Sequence, residues 1–284
     1  MYSSVLVANR GEIALRVIST LQDHGIEAVV TASDLDINGL PARRADKILH
    51  LEGKTALDTY LNMEEIINGA KEIGVHAVHP GYGFLAENHE FAKKVVDSKI
   101  DFIGPNPDQM LTFGDKIQAR KVAIKSNTPI IPGSNENLSE KEMFQKAKEI
   151  GFPLLIKASA GGGGRGIRFV KNQKNFSNEL QLAKSEARLA FNDDRVYLEK
   201  FIANGRHIEV QILGDGDGNI LHFGERDCSL QRKNQKLIEE SPAPSITRKQ
   251  ASKIHQNAIN LVEELNYKNA GTVEFLVDKD NHFF

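Results

Sequence analysis

The chain has 284 residues, 40% hydrophobic and 26% charged, with a formal net charge of −2. That length suits two domains with sizeable cores, and the near-neutral balance leaves no electrostatic footprint for nucleic acid or an anionic membrane. One cysteine, Cys228, excludes an intramolecular disulfide and suits a reducing compartment. No apolar stretch reaches spanning length and no signal-peptide pattern is read, so a cytoplasmic protein is expected.

The first hundred residues alternate strand and helix. Val5 to Ala8 predicts a short buried strand, and Ile13, Val17 and Leu21 then recur at four-residue spacing, as on one helix face. Ala28 to Thr31 is the next strand. Residues 58–73 read as a helix with Leu61, Ile66, Ile67 and Ile73 as apolar contacts, and Ala77-Val78 and Phe102-Ile103 as two further strands. This is the pattern of a doubly wound parallel sheet, which places binding loops at the carboxyl ends of its strands. His79-Pro80-Gly81-Tyr82-Gly83 falls at such an end, as a ligand loop or as a plain turn.

From about residue 114 the pattern changes. Asp115 to Lys125 looks helical, Thr128 to Gly133 is a rigid connector, and residues 139–150 form another short helix. A hairpin, a helix from about 175 to 191 and a strand over Val196 to Phe201 follow. His207 to Leu213 alternates with period two, Asp215 to Gly218 is a turn, and Ile220 to Phe223 returns, so these strands read as antiparallel. Thr247 and Gln250 form a capping box opening a helix with Ala251, Ile254, Ala258, Leu261 and Leu265 on one side. Gly271 to Val277 is a strand, Asp278 to Asn281 a hairpin turn, and His282-Phe283-Phe284 the opening of a partner strand. A strand so short would leave an apolar edge unpaired, so the chain is expected to be part of a longer protein.

The hairpin carries Gly161, Gly162, Gly163, Gly164, Arg165 and Gly166 between Pro153–Lys157 and Ile167–Val170. Consecutive glycines lose the most backbone entropy on ordering, a cost a chain accepts where its backbone must approach a ligand closely. With Lys157 before the run and Arg165 inside it, that ligand reads as a polyphosphate. A mobile tip between two strands is the alternative. The run satisfies G-x-G-x-x-G, yet it leads into an extended stretch rather than a helix, and no G-K-[ST] closes it, so neither a dinucleotide fingerprint nor a Walker loop is read.

Alternation puts His207, Glu209 and Gln211 on one strand face, offering a base, a carboxylate and an amide in a cleft, or else a solvated surface. Glu274 sits among Val273, Phe275, Leu276 and Val277 and needs a partner: a magnesium ion bridging ATP phosphates, or a buried ion pair. Between Glu225 and Lys236 the chain is dense in charge. Arg232, Lys233 and Lys236 suit an anionic intermediate, with a charged surface loop as the alternative. Cys228 has no evident triad and reads as structural.

Taken together, these segments resemble biotin carboxylase, the ATP-grasp component of biotin-dependent carboxylases. The resemblance rests on Leu6-Val7-Ala8-Asn9-Arg10-Gly11-Glu12-Ile13-Ala14, on His79 to Asn88, on Gly114-Asp115-Lys116, and on Lys157-Ala158-Ser159 leading into the glycines. It continues through His207-Ile208-Glu209-Val210-Gln211, Glu225-Arg226-Asp227-Cys228-Ser229 and Glu239 to Pro244. It implies a doubly wound pre-ATP-grasp domain over 1–113 and an incomplete ATP-grasp domain over 114–284, with a lid at about 131–201. It implies the reaction as well: ATP phosphorylates bicarbonate to carboxyphosphate, which delivers carbon dioxide to a carrier-bound biotin.

By carry-over, Lys116 and Lys157 contact ATP phosphates, and Gly161 to Gly166 close over them. Glu199, Lys200 and Ile202 match the adenine-binding strand; His207 and Gln231 match nucleotide contacts, Lys236 a catalytic contact on the bicarbonate side. Glu274 matches the first of two glutamates on magnesium or manganese. The implied partners are a biotin carboxyl carrier, a carboxyltransferase and a second copy of the chain, in the cytoplasm or, for a eukaryotic parent, the mitochondrial matrix. Acetyl-CoA carboxylase and fatty acid biosynthesis are the expected setting, with the corresponding domain of pyruvate or urea carboxylase as the alternative. Asn234 stands where the family often has histidine; it can hydrogen-bond but cannot titrate. The second metal glutamate, the bicarbonate-binding segment and a biotin-contacting arginine of the family lie beyond Phe284. A catalytically silent nucleotide-binding fragment is therefore the competing expectation.

Overall fold

The computed structural model describes residues 2–134, 138–160, 166–232 and 235–284. The expectations for Gly161, Gly162, Gly163, Gly164, Arg165, Lys233 and Asn234 therefore lie outside the described residues. The chain divides into two compact units, Met1–Met110 and Leu111–Phe284.

In the first unit β1 (Ser4–Val7), β2 (Glu27–Ser33), β3 (Lys47–Leu51), β4 (Ala77–His79) and β5 (Asp101–Phe102) form one parallel sheet in the order β3-β2-β1-β4-β5. Both faces are covered, which is why its central strands are runs of Val, Leu and Ala rather than alternating sequences. Val5, Val7, Ala28, Val30 and Ala77 pack against Ala14, Ile18 and Leu21 of α1 (Gly11–Asp23). Leu6, Val29 and Val78 meet Ile66 and Ala70 of α3 (Met63–Ile73), with Phe91 and Val95 of α4 (His89–Asp97).

The helix expected over 58–73 begins only at Met63, because the Asn62 side chain accepts from the Glu65 amide and caps it there; residues 58–61 are turn. The strand expected at Phe102-Ile103 is Asp101–Phe102. Strand β3 and helices α2 (Leu40–Arg44) and α4 were not singled out, and β3 exposes most of its residues, so it has no apolar period to read. The loop after β4 is fixed to the end of β1: Asn9 Nδ2 donates to the carbonyls of Pro80 and Tyr82, each at 2.8 Å. Gly81 is required there, since its φ is +65° and a Cβ would lie 2.7 Å from Asn9 Nδ2.

The boundary between the units falls within α5 (Pro107–Gly114), and the second unit contains α6 (Lys116–Lys125) and two antiparallel sheets. In the smaller sheet β6 (Leu154–Ala158) lies between β7 (Ile167–Val170) and β8 (Val196–Lys200). One face buries Leu154, Ile156, Val170, Val196 and Leu198 against Met143 and Ala147 of α7 (Glu140–Ile150) and Phe176, Leu180 and Ala183 of α8 (Phe176–Phe191).

The larger sheet runs β11-β10-β9-β12, from β9 (Arg206–Asp215), β10 (Ile220–Arg232), β11 (Gln235–Glu240) and β12 (Lys268–Val277). Ile208, Val210, Ile212, Val273 and Phe275 pack on Ile254, Ala258 and Val262 of α9 (Arg248–Glu263), which Thr247 and Gln250 open with a capping box. Leu265, expected on that helix, falls beyond its end. Where a charged loop was the alternative for Glu225 to Lys236, the structure has strand: β10 continues through Arg232 and β11 returns from Gln235, with Gln231 opposite Lys236.

Candidate nucleotide site

Two charged faces in the second unit gather most of the residues singled out from sequence. The first is the solvent face of the smaller sheet. Strand alternation sends Leu154, Ile156 and Ala158 to the core and Leu155 and Lys157 to the other side. Register then sets Lys157 between Ile167 and Tyr197, and Leu155 between Phe169 and Glu199. The Lys157 ammonium bonds to Glu199 Oε2, and Arg120 NH1 bonds to Glu199 Oε1 at 3.1 Å. The Arg120 and Glu199 side chains are only 8% and 9% exposed, so this pair is held inside the protein. Arg120 NH2 also donates to the Ile131 carbonyl at 2.6 Å, and its guanidinium lies 5.8 Å from the Tyr197 ring centre. Gly133 makes this packing possible, because a Cβ there would stand 2.2 Å from the Leu198 carbonyl oxygen and 2.9 Å from Arg120 NH2.

Lys116 is the first residue of α6, and its backbone amide donates to the Ser159 carbonyl at 3.1 Å. Burial and then the nearby Lys157 charge hold its ammonium below the ordinary lysine range. Beside these cations the sheet is apolar: Ile167 and Phe169 are part-exposed, and Phe169 meets Phe201 edge to face at 4.9 Å. Such a surface suits a flat heteroaromatic ring. Lys200 is turned away from it. Its ammonium reaches the carbonyls of Gly151 and Phe152 at 3.1 and 3.4 Å, so this side chain is engaged by the fold, while Ile202 is partly buried just past the strand.

The second face belongs to the larger sheet. Pairing sets Glu209 opposite both Glu274 and Arg226. Glu209 is 3% exposed and takes bonds from Lys236 and from Arg226 Nε, the latter at 2.6 Å. Burial alone would raise its pKa; those two cations outweigh burial and lower it. Lys236 also reaches Glu274 Oε1 at 3.0 Å, and the two carboxylates keep its pKa raised against burial. His207 Nδ1 lies 2.7 Å from Gln231 Nε2 and its Nε2 3.5 Å from Glu274 Oε1. The His207 bond first, and Lys236 second, bring the Glu274 carboxyl down to about 2. Contrary to the buried setting its neighbours suggested, the Glu274 side chain is 54% exposed.

Glu274 fits a magnesium ion as one carboxylate ligand beside phosphate oxygens, the way this hard cation is commonly held. Glu209, Cys228 and Glu239 also bring their ligand atoms within 4.8 Å of one another. That trio suits magnesium poorly: burial pushes the Cys228 thiol up to about 11, leaving a protonated sulfur in place of a hard oxygen donor.

Arg120 and Arg226 were not singled out as site residues, although each left a signal. Arg120 falls at three-residue spacing between Ile117 and Ala123 on the buried side of α6, where an arginine requires a buried acceptor. Arg226 joins the functional face only once β10 is known to run past residue 223.

An antiparallel ATP-binding architecture with a cationic face and a carboxylate-bearing face defines the class. Residues 115–284 match the family described as carbamoyl-phosphate synthase L chain, ATP binding domain, and the chain belongs to that family. Residues 1–110 match the biotin carboxylase N-terminal domain, so the two matches together are the N-terminal and ATP-binding domains of biotin carboxylase. The chain is 46% identical to biotin carboxylase 2, chloroplastic, of Populus trichocarpa over 281 residues, covering 99% of this chain and 53% of that protein. It is 43% identical to biotin carboxylase of Nostoc sp. over 284 residues, covering all of this chain and 64% of the relative. The crystal structure of a biotin carboxylase–beta-gamma-ATP complex from Campylobacter jejuni superimposes with a TM-score of 0.96 at 44% identity, over 100% of this chain and 64% of that one. The chain thus spans between about half and two thirds of the length of these relatives.

Proposed function

We propose that this chain supplies the ATP-binding part of a biotin carboxylase, acting in the ATP- and bicarbonate-dependent carboxylation of carrier-borne biotin. The observation that carries this reading is the opposite charge of the two faces. Lys157 of β6 and Arg120 of α6 both bond to the Glu199 carboxylate, and Lys116 of α6 lies close enough to feel the Lys157 charge, so cations gather there for phosphates. On the larger sheet Glu209, Glu239 and Glu274 exceed Lys236 and Arg226 by one carboxylate, which suits a metal ion carried on those phosphates.

Phosphoryl transfer depends on positioning and charge neutralisation. Lys157 and Lys116 bind the phosphate oxygens, and Ile167 and Phe169 shield the base from water. Glu274 would hold a magnesium ion on one side, and that ion when bound would supply neutralisation of the charge on the transferred group. Lys236, fixed by Glu209 and Glu274, presents a permanent cation to bicarbonate or to the carboxyphosphate formed from it, with His207 and Gln231 beside it. The expected partners are a biotin carboxyl carrier, a carboxyltransferase of an acyl-CoA carboxylase, and a second copy of the chain. Cytoplasmic placement and a role in fatty acid biosynthesis belong to the same proposal. Among the described residues no helix is long and apolar enough to cross a membrane.

The share of the relatives' length that the chain spans favours a second reading, in which these 284 residues hold the nucleotide without turnover. Bicarbonate-dependent ATP hydrolysis, measured with and without free biotin, separates the two. Stimulation that Lys236→Met abolishes is carboxylase chemistry by this chain, whereas MgATP binding with no stimulation leaves nucleotide holding alone. Absence of MgATP binding contradicts both.

A further inference from the structure

A closed ring of bonds joins three segments that are distant in sequence. The Lys116 amide donates to the Ser159 carbonyl at 3.1 Å, and the Ser159 amide donates to the Arg195 carbonyl at 2.9 Å. Arg195 NH1 then donates to Asp115 Oδ2 at 2.8 Å, returning to the residue next to Lys116. Asp115 Oδ1 takes the fully buried Ser159 hydroxyl at 2.9 Å and the Ile117 and Gln118 amides at 2.9 and 3.1 Å. Asp193 supports the ring from outside, accepting from Arg195 Nε at 3.0 Å and NH2 at 2.6 Å. The ring ties the first turn of α6, which carries Lys116, to the end of β6, where Lys157 precedes Ser159 by two residues. Like charges repel; Glu199 offsets part of that repulsion, and the ring adds a constraint on the spacing of the two lysines that does not depend on Glu199.

We propose that Arg195 is a positioning residue that holds Lys116 beside Lys157 as a prepared phosphate-binding pair. The proposal rests on the nucleotide reading of the site. Arg195 acts through Asp115 and Ser159.

The experiment is calorimetric binding of MgADP and of adenosine to the unchanged chain and to Arg195→Met, Arg195→Lys and Asp115→Asn. Loss of one charge-assisted bond corresponds to a roughly tenfold weakening of MgADP binding by Arg195→Met, with adenosine affected less than about twofold. Arg195→Lys should recover most of that loss. Asp115→Asn, which keeps a helix-capping oxygen, should show a similar loss, and the double variant no more than either single one. Equal losses for adenosine and MgADP, no loss at all, or no recovery by lysine would overturn the proposal.

The ammonium titration of Lys116, followed by NMR, tests the ring without nucleotide. If the ring holds the pair together, Asp115→Asn lets the lysines separate and the Lys116 pKa rises. If Asp115 acts only as a nearby negative charge, the pKa falls, and the proposal is wrong. A chain that binds no MgADP but shows the rise contradicts the nucleotide reading while leaving the ring established.

Discussion

The Arg120–Glu199–Lys157 group, where α6 meets the smaller sheet, and the Lys236–Glu209–Glu274 group on the larger one both pair glutamate with cations, with opposite results. In the first, one buried carboxylate is shared by cations, and the surplus is positive. In the second, carboxylates outnumber cations, and Glu274 is left half exposed with its negative charge held by His207 and Lys236. Under the proposed function, the first face would take the anionic oxygens of a nucleotide and the second their metal ion.

The comparison can be broken most forcefully at Glu199. Glu199→Ala leaves Arg120 charged inside the protein, so urea unfolding should show a loss of roughly 3–5 kcal/mol. Glu274→Ala, removing a half-exposed and solvent-screened carboxylate, should cost clearly less than that. Equal losses would mean that the two groups do not differ in burial as described. A second test uses the metal. Glu274→Gln should weaken MgADP by up to about tenfold while leaving metal-free ADP nearly unaffected, since one charged ligand to the cation is lost. Loss in both conditions would remove Glu274 from the metal's side.

The pH response sharpens the same contrast. The folded-state pKa of Glu274, about 2, lies below the ordinary 4.5, so its ionised form favours the folded state. That contribution is fully present above 4.5 and is lost as pH falls through the folded value near 2. The stability gap between the unchanged chain and Glu274→Gln should therefore close on acidification across this window, as read by urea midpoints at successive pH values. A gap that widened would reverse the assignment. The smallest effect is expected at Cys228: with its thiol buried and raised to about 11, alkylation at neutral pH should be slow in the folded chain and rapid in urea.

Much of the fold was legible because period and punctuation agreed. The valine-rich β1 and β2, the four-residue spacing of α1, and the capping box at Thr247 each state locally what the tertiary structure requires. β3 was hidden because most of its side chains face water, and the span of β10 because a bulge between His222 and Glu225 interrupts its alternation. In the site, His207, Glu209 and Gln211 could be placed on one face by period two alone. Their partners could not. Arg226, Lys236 and Glu274 reach Glu209 or His207 from other strands, and register between strands is not written in any one of them. The same holds for Arg195, which meets Asp115 from 80 residues away.

The proposed function requires that the first face takes the phosphates of a nucleotide and the second their metal ion. Its most direct test is calorimetric titration of the 284-residue chain with ATP, with and without magnesium, alongside Lys157→Met. MgATP binding should weaken roughly 10- to 100-fold on removal of the Lys157 ammonium, while adenosine binding is preserved. MgATP binding indifferent to Lys157, or no binding by the unchanged chain, would contradict it.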